Sequence, residues 1–405
     1  MTPRRGKAVS PEVGDSVPLK VLHLEIRISE TNAAYNEHCL PIAHLGAAAI
    51  CSFRKAELVP ESELPCFDGD GTFRGFFRAL RSALDHDDYD LIHAHTVHVA
   101  FLLLMTRLFT RWRLPSAAIY TFHSAFPNYK FRYKLLLLPV FATFHRIVCC
   151  GEASRASLPR FYRWLTREPI VAIPNGVDVN RVDRISKRCA AREPDAPFTV
   201  ISLGRLIKVK NPFVILNSFM DGAGPNSLLL MAGVGDLRGA LEHACGAAGI
   251  GDRVEFPGLL PRDTVFEALN RSDLLVSTSW HEGIPVAVLE AMACRCPVLL
   301  SDISPHREIA QGADFVPLVA PDDVAGFARE IERIRGMSRS ERLEMGEKCR
   351  ALVEGQFNLA TMHQRYAAVY QEAVRMSGGM VGPAERHSSL VPSMREGAAE
   401  RDSPK

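Results

Sequence analysis

From Lys20 onward the chain alternates short, almost wholly apolar runs with longer amphipathic stretches; the runs are KVLHLEI, AAAICSF, DLIHAH, AAIYTFH, RIVCCG and PIVAIP. Runs apolar on both faces suit strands covered by helices on either side, and their alternation with helical segments predicts a mostly parallel, doubly wound sheet. After Pro174-Asn-Gly-Val-Asp178 a charged, proline-bearing stretch intervenes, and alternation resumes with FTVISLG, SLLLMAG, VEFPG, DLLVSTS, PVLLS and FVPLV. The fold class is therefore α/β: two Rossmann-like, doubly wound domains facing across a cleft, over residues 19–178 and 198–357, with a linker at 179–197. Facing domains leave a cleft that is a usual place for a substrate. A helix follows at 358–375. Residues 1–18 mix Pro, Gly, Ser and charges without an apolar core, which reads as a flexible tail rather than a signal or anchor, and 376–405 read as a disordered tail.

Composition narrows the choice. With 405 residues, 47% of them hydrophobic and 23% charged, the chain can bury two separate cores. A net charge of +2 excludes a generic nucleic-acid binder, so no nucleic-acid partner is expected. The ten cysteines lack zinc-site spacing and suit a reducing, cytoplasmic compartment. The longest apolar run, Leu135 to Phe144, contains Pro139 and is about half the ~20 residues a bilayer span needs. Residues 128–144 nonetheless combine bases, aromatics and an apolar block, with Arg107, Arg111 and Arg113 nearby in sequence. That pattern fits peripheral contact with the inner face of a membrane, and equally a helix whose apolar side faces the core.

The stretch WHEGIPVAVLEAMACRCP, Trp280 to Pro297, carries the most specific chemistry. It joins two strand-like runs. Gly283 permits a sharp turn and Pro285 suits a first helical turn, so Glu282 falls in a loop and Glu290 on a helix, both bordering the carboxyl end of a parallel sheet. Glu290 sits among Val286, Val288, Leu289, Ala291 and Met292, where a carboxylate needs donors such as neighbouring sugar hydroxyls. Upstream, SLGRLIKVKNP ends a strand at Gly204 and follows it with Arg205, Lys208 and Lys210, a set able to hold a diphosphate or to form a solvated basic loop. In MAGVGDLR, Gly233 and Gly235 lead into a helix at 237–247, as a phosphate-facing helix start or a plain tight turn. His123 ends a strand where it can line the cleft, as do His93 and His95 with less force. Asp68-Gly-Asp70 offers only two oxygens, too few for a hard cation, so no metal is expected.

Together these residues resemble the retaining, two-Rossmann-domain glycosyltransferases of family 4, group 1, which have the GT-B architecture. The resemblance spans most of Lys20 to Arg375 and is most specific over Ser202 to Ser301, where GRLIKVKN and HEGIPVAVLEAMA match the family's basic segment and its two glutamates with seven intervening residues. PNGVD and VEFPG add family-like punctuation. The resemblance implies a nucleoside diphosphate sugar donor whose diphosphate is bound by Arg205 and Lys210. It further implies the ribose on Glu290, the base near Gly258 and Leu259, and the sugar on Glu282 and the backbone of Gly283, Ile284, Pro285 and Val286, with Gly235 at the phosphate. His123 would approach from the other domain, and no cofactor would be required. The function implied is retaining transfer to an acceptor hydroxyl on a surface polysaccharide, lipid-linked glycan or small molecule. A sugar-nucleotide epimerase or phosphorylase of the same fold, or an inactive sugar-nucleotide-binding regulator, are the alternatives. The chain departs from the family in having no glycine between Glu25 and Glu37, in Arg295 where glycine is frequent, and in Ser304-Pro-His-Arg-Glu308 where paired glycines usually precede the glutamate.

Overall fold

The computed structural model describes residues 19–29, 38–39, 47–57, 64–189, 193 and 195–378. The tails 1–18 and 379–405 and most of the glycine-free loop lie outside the described residues. Two parallel sheets form separate lobes. The first contains β1 (Val21–Glu25), β2 (Ala48–Ser52), β3 (Cys66–Asp68), β4 (Leu91–Ala94), β5 (Ala117–Phe122), β6 (Arg146–Cys149) and β7 (Val171–Ala172), in the order β3-β2-β1-β4-β5-β6-β7. The second contains β8 (Phe198–Leu203), β9 (Ser227–Ala232), β10 (Val254–Gly258), β11 (Leu274–Ser277), β12 (Val298–Ser301) and β13 (Leu318–Val319), in the order β10-β9-β8-β11-β12-β13. Strand order reverses between β1 and β4 and again between β8 and β11. Connecting loops diverge at such points and leave crevices at the strands' carboxyl ends.

Every residue of β1, β4 and β5 is buried, because helices cover both faces of the sheet. On one face Leu22, Leu24, Ile92, Ala118, Tyr120 and Phe122 pack under the helices Phe73–His86, Val97–Phe109 and Phe131–Thr143. On the other, Val21, Leu91, Ala117 and Ile119 meet Met362, Tyr366, Val369 and Tyr370 of the terminal helix Leu359–Met376, which returns from the second lobe.

The stretch expected to be a linker from 179 begins instead with the helix Val179–Ser186. Asp178 caps it by accepting from Asn180 and Arg181 N–H, both at 3.0 Å. Val182 and Ile185 bury in the second lobe's core, and Asp183 accepts two 2.8 Å bonds from Arg350. Arg181 pairs with Asp263 and Asp183 with Arg350, both of the second lobe, so this helix belongs to that lobe's body.

Candidate active site

At the β8/β11 switch point, Arg205, Lys210, Ser279, Glu282 and Pro285 line one crevice. The loop after β8 tightens into a single turn, Lys208–Lys210, and ends at Asn211 in a left-handed conformation (φ 52°). Asn211 is held there because its amide donates to Pro321 O at 2.9 Å and its carbonyl accepts from Thr278 Oγ1 at 2.9 Å. Trp280 N–H donates to Val209 O at 3.0 Å and its indole to Asp322 at 2.8 Å. Lys210 is thereby placed against Glu282, with which it forms an ion pair, while Ser279 Oγ donates to the same carboxylate oxygen at 2.7 Å. Burial alone would raise the Glu282 carboxyl, but Lys210, Ser279 and the nearby His306 outweigh it and hold it below its ordinary value. Arg205 is exposed beside this pair and has no ion-pair partner among the described residues.

Glu290 does not open into that crevice. It is buried beneath the helix Val286–Ala293 and ion-paired with Arg262, at the start of the helix Arg262–Asn270. Arg262 thus supplies the cation that the apolar setting of Glu290 demands. Burial raises the Glu290 carboxyl and prevails over Arg262 and Arg181. Gly258 closes β10 with φ 77°, and Leu259 beside it is exposed.

The glycines of the 233–235 turn answer to packing. A Cβ on Gly233 would lie 1.8 Å from Gly204 O, and one on Gly235 would lie 2.1 Å from Leu206 O. Leu206 N–H donates to Val234 O and Leu237 N–H to Leu206 O, both at 3.0 Å, zipping the turn onto the basic loop. Gly235 therefore supports the loop that carries Arg205 and Lys210. Of the amides expected to face a sugar, Pro285 has none, and the Ile284 N–H is turned to the Cys150 sulfur, whose thiol burial raises to about 11. Gly283 and Val286 keep theirs.

The Gly283–Pro285 loop is also the seam between the lobes. A Cβ on Gly283 would stand 2.6 Å from Cys150 Sγ and 2.8 Å from His123 O, and one on Gly151 would stand 2.6 Å from Ile284 Cγ1. Asn175 donates to Ile284 O at 2.7 Å. Glu308 crosses the seam and accepts from the Glu152 and Ala153 N–H groups at 2.8 and 2.7 Å. Glu308, the glutamate that ends SPHRE, thus supplies an inter-lobe clamp.

On the first-lobe side, period-two alternation puts His23, Glu25, His93, His95, Thr121 and His123 on one face of β1, β4 and β5 and just beyond them. His23 Nδ1 meets His95 Nε2 at 2.9 Å, and His95 Nδ1 meets His123 Nε2 at 3.1 Å. Each neutral imidazole carries one N–H, so the tautomers of this chain must all run in the same direction. Burial drives His123 down to about 4 and His23 to about 3, keeping both neutral at physiological pH. His93 is committed to Tyr370 OH at 2.8 Å and Thr121 Oγ1 at 2.7 Å. His23, His93 and His95 place ligand-type atoms within 4.8 Å of one another, as do Glu25, Cys39 and His95, but both ring nitrogens of His93 and His95 are spent on hydrogen bonds. Asp68 and Asp70 serve local roles, accepting from Ala56 N–H at 3.1 Å and Thr72 N–H at 2.9 Å.

Family profiles match both lobes: "Glycosyltransferase Family 4" over residues 48–181 and "Glycosyl transferases group 1" over residues 183–351. This chain belongs to the group 1, family 4 glycosyltransferases. Among curated relatives, the putative glycosyltransferase EpsF of Bacillus subtilis is 26% identical over 66% of this chain and 72% of its own length. The Escherichia coli UDP-Gal:alpha-D-GlcNAc-diphosphoundecaprenol alpha-1,3-galactosyltransferase is 24% identical over 73% of this chain and 79% of its own. Anabaena HepE, solved with UDP and glucose, superposes with a TM-score of 0.70 at 18% identity, over 87% of this chain and 100% of HepE. Sucrose-phosphate synthase from Thermosynechococcus elongatus gives 0.70 at 16% identity, over 88% and 100%. At such identities the solved structures establish the GT-B fold.

In this glycosyltransferase the sequence-expected residues divide into three neighbourhoods. Arg205, Lys210 and Glu282 share the switch-point crevice; Gly258, Leu259 and Glu290 belong to the β10 side of the same lobe; Gly283 and His123 meet at the seam. Ser279, Arg262 and His306 went unseen because packing against a site residue from elsewhere in the fold leaves no mark in one sequence. Alternation in KVLHLEI did carry a signal for His23.

Proposed function

We propose that this glycosyltransferase moves a sugar from a nucleoside diphosphate sugar to an acceptor hydroxyl, with retention at the anomeric carbon and without a cofactor. The observation that carries the reading is the Lys210–Glu282 pair at the β8/β11 switch point, with Arg205 exposed beside it and His123 across a seam too tight for a side chain at Gly283. Glycosyl transfer builds negative charge on the departing diphosphate, and cations fixed in advance stabilise it without reorganising. Arg205 and Lys210 supply that charge. The ionised Glu282 orients Lys210 and leaves its second oxygen for a sugar hydroxyl. The acidic group that takes the ribose hydroxyls is Glu290, with Arg262 holding it in place. His123, neutral and directed by His95, faces the sugar from the first lobe, and the acceptor attacks from the face the diphosphate leaves. That Anabaena HepE was solved with UDP and glucose supports a donor of this class.

The experiment is transfer by the purified enzyme across a panel of nucleoside diphosphate sugars and hydroxyl acceptors, with the product anomer read by NMR. An α-linked donor should yield an α-linked product and free nucleoside diphosphate. A β-linked product would overturn retention. Sugar isomerised in the absence of acceptor would replace transfer with epimerisation.

A further inference from the structure

A groove of about 880 Å³ opens on the first lobe, lined by none of the residues assigned to the donor. Ile26, Phe53, Phe77, Met105, Phe109 and Trp112 line it. Its polar lining is silenced: Thr106 and Thr110 turn their hydroxyls to Leu102 O at 2.9 Å and Thr106 O at 2.8 Å, and His98 packs its ring on Tyr133, 4.6 Å between centroids. At the rim, Phe73 is 64% and Phe109 77% exposed. A contiguous apolar surface of this kind on a folded domain marks a binding site.

The groove has two ends. One lies at the carboxyl edge of the sheet, where Ile26 follows β1, Phe53 follows β2 and His98 opens the helix Val97–Phe109. Glu25, His95 and His123 stand along this same edge. From there the groove follows that helix, about 20 Å at 1.5 Å per residue, to Phe109 and Trp112. The carboxyl-edge end is cationic: exposed Arg54 and Lys55 follow Phe53, and exposed Arg74 follows Phe73. The nearby carboxylates are engaged elsewhere, Glu57 with Arg27 at 3.1 Å and Asp68 and Asp70 with backbone N–H groups. A dry trough of this length, with cations only where it reaches the cleft edge, complements an amphiphile with one long hydrocarbon chain and an anionic head.

We propose that the groove binds the hydrocarbon chain of the acceptor, a lipid phosphate or diphosphate that bears the receiving hydroxyl beyond its head group, with Arg54, Lys55 and Arg74 on the phosphate. The head then lies at the strand ends beside the cleft, so the chain fixes which hydroxyl reaches the reacting centre. This rests on the transfer reading above and names its acceptor class.

The probe is dodecyl phosphate carrying a terminal nitroxide, kept below its micelle concentration, titrated into the full chain while tryptophan fluorescence is followed. Saturable quenching is expected, and its loss in Trp112→Phe assigns it to the groove. Phe73→Asp with Phe109→Asp, both at exposed positions, should weaken binding about tenfold or more. Arg54→Glu with Lys55→Glu should weaken the phosphate probe but leave the matching nitroxide alcohol unchanged. Absence of saturable quenching, equal affinity for phosphate and alcohol, or binding to anionic vesicles but not to the monomeric probe would each overturn the proposal, the last in favour of a mere surface contact. Thermal shifts with nucleoside diphosphates, run on the same samples, separate the two readings. Groove variants that keep the shift are folded, and a parent that binds the alkyl phosphate but no nucleotide would sink the donor reading alone.

Discussion

The two faces that meet at the inter-lobe seam solve opposite electrostatic problems. On the second lobe, buried carboxylates are matched to cations, Glu282 to Lys210 and Glu290 to Arg262. On the first, His23, His95 and His123 form a hydrogen-bonded chain that burial keeps neutral. The transfer proposed above accounts for the asymmetry: a departing diphosphate would gain negative charge and be stabilised by fixed cations, whereas the sugar ring would gain positive charge and be repelled by an imidazolium beside it. One face therefore carries charge and the other polarity without charge.

Removing the charge from the second face should have the largest effect. Lys210→Ala is expected to lower the transfer rate about 10²–10³-fold, the size of effect seen when one preorganised donor to a developing anion is lost. It also leaves Glu282 with only Ser279 and His306 for company, so some stability is lost with it. Adding Glu282→Gln should restore that stability without restoring transfer. Steady-state rates and thermal midpoints of both variants test this, and a parental rate in Lys210→Ala would remove the assignment.

The seam itself is the next target. A methyl at Gly283 meets His123 O, a backbone atom that cannot swing aside. Gly283→Ala should cost about 1–3 kcal/mol by overpacking or else hold the lobes apart with a lower turnover. The matched control is Gly239 in the helix Arg238–Ala247, where a methyl would find nothing within 4 Å. There Ala should be neutral or stabilising by up to ~1 kcal/mol. Equal behaviour of the two variants in urea unfolding and in turnover would deny the seam any special fit.

Much of this was legible in the sequence, for physical reasons that differ from place to place. Parallel strands buried on both faces leave near-continuous apolar runs, which is why all of the central strands of both sheets could be read. The three-residue edge strand Cys66–Asp68 buries too little to leave such a run. Asp178 and the spacing of Val179, Val182 and Ile185 encode the helix that looked like a linker, but its charges spoke louder than its short apolar stripe. The sequence around Glu282 and Glu290 placed one in a loop and the other on a helix, as the structure has them, but not their separation into the crevice and the buried Arg262 pair. The histidine chain was only half visible: His93, His95 and His123 stand at strand ends, but their union with His23 needs the register that pairs His23 with His93. Arg262 acts on Glu290 from a different helix and no local pattern announces it, and the motif that ends in Glu308 did not reveal that this residue reaches Glu152 and Ala153.

Titration gives the smallest and most discriminating effect. A histidine whose folded value is depressed is neutral in the native state while the unfolded chain, near 6.5, takes up protons, so its contribution is complete above pH ~6.5 and declines as pH falls toward the folded value. His123 and His306 place the lower bound at about 4 and His23 at about 3. The Lys210–Glu282 pair behaves differently: with Glu282 depressed, its contribution declines only once pH drops below the ordinary glutamate value near 4.3. Unfolding free energy from urea titrations should therefore fall between pH 6.5 and 4.5 by about 1.4 kcal/mol per pH unit for each excluded proton, before the ion pair is affected. His23→Asn should make that decline shallower by one proton, and Glu282→Gln should leave it unchanged. Because His123 does not change charge above pH 6, its protonation should contribute no limb to the transfer rate between pH 6.5 and 8. An imidazole limb near 6.5 that disappears in His123→Asn would mean that the first face is charged during turnover and that the asymmetry between the faces is not electrostatic in origin.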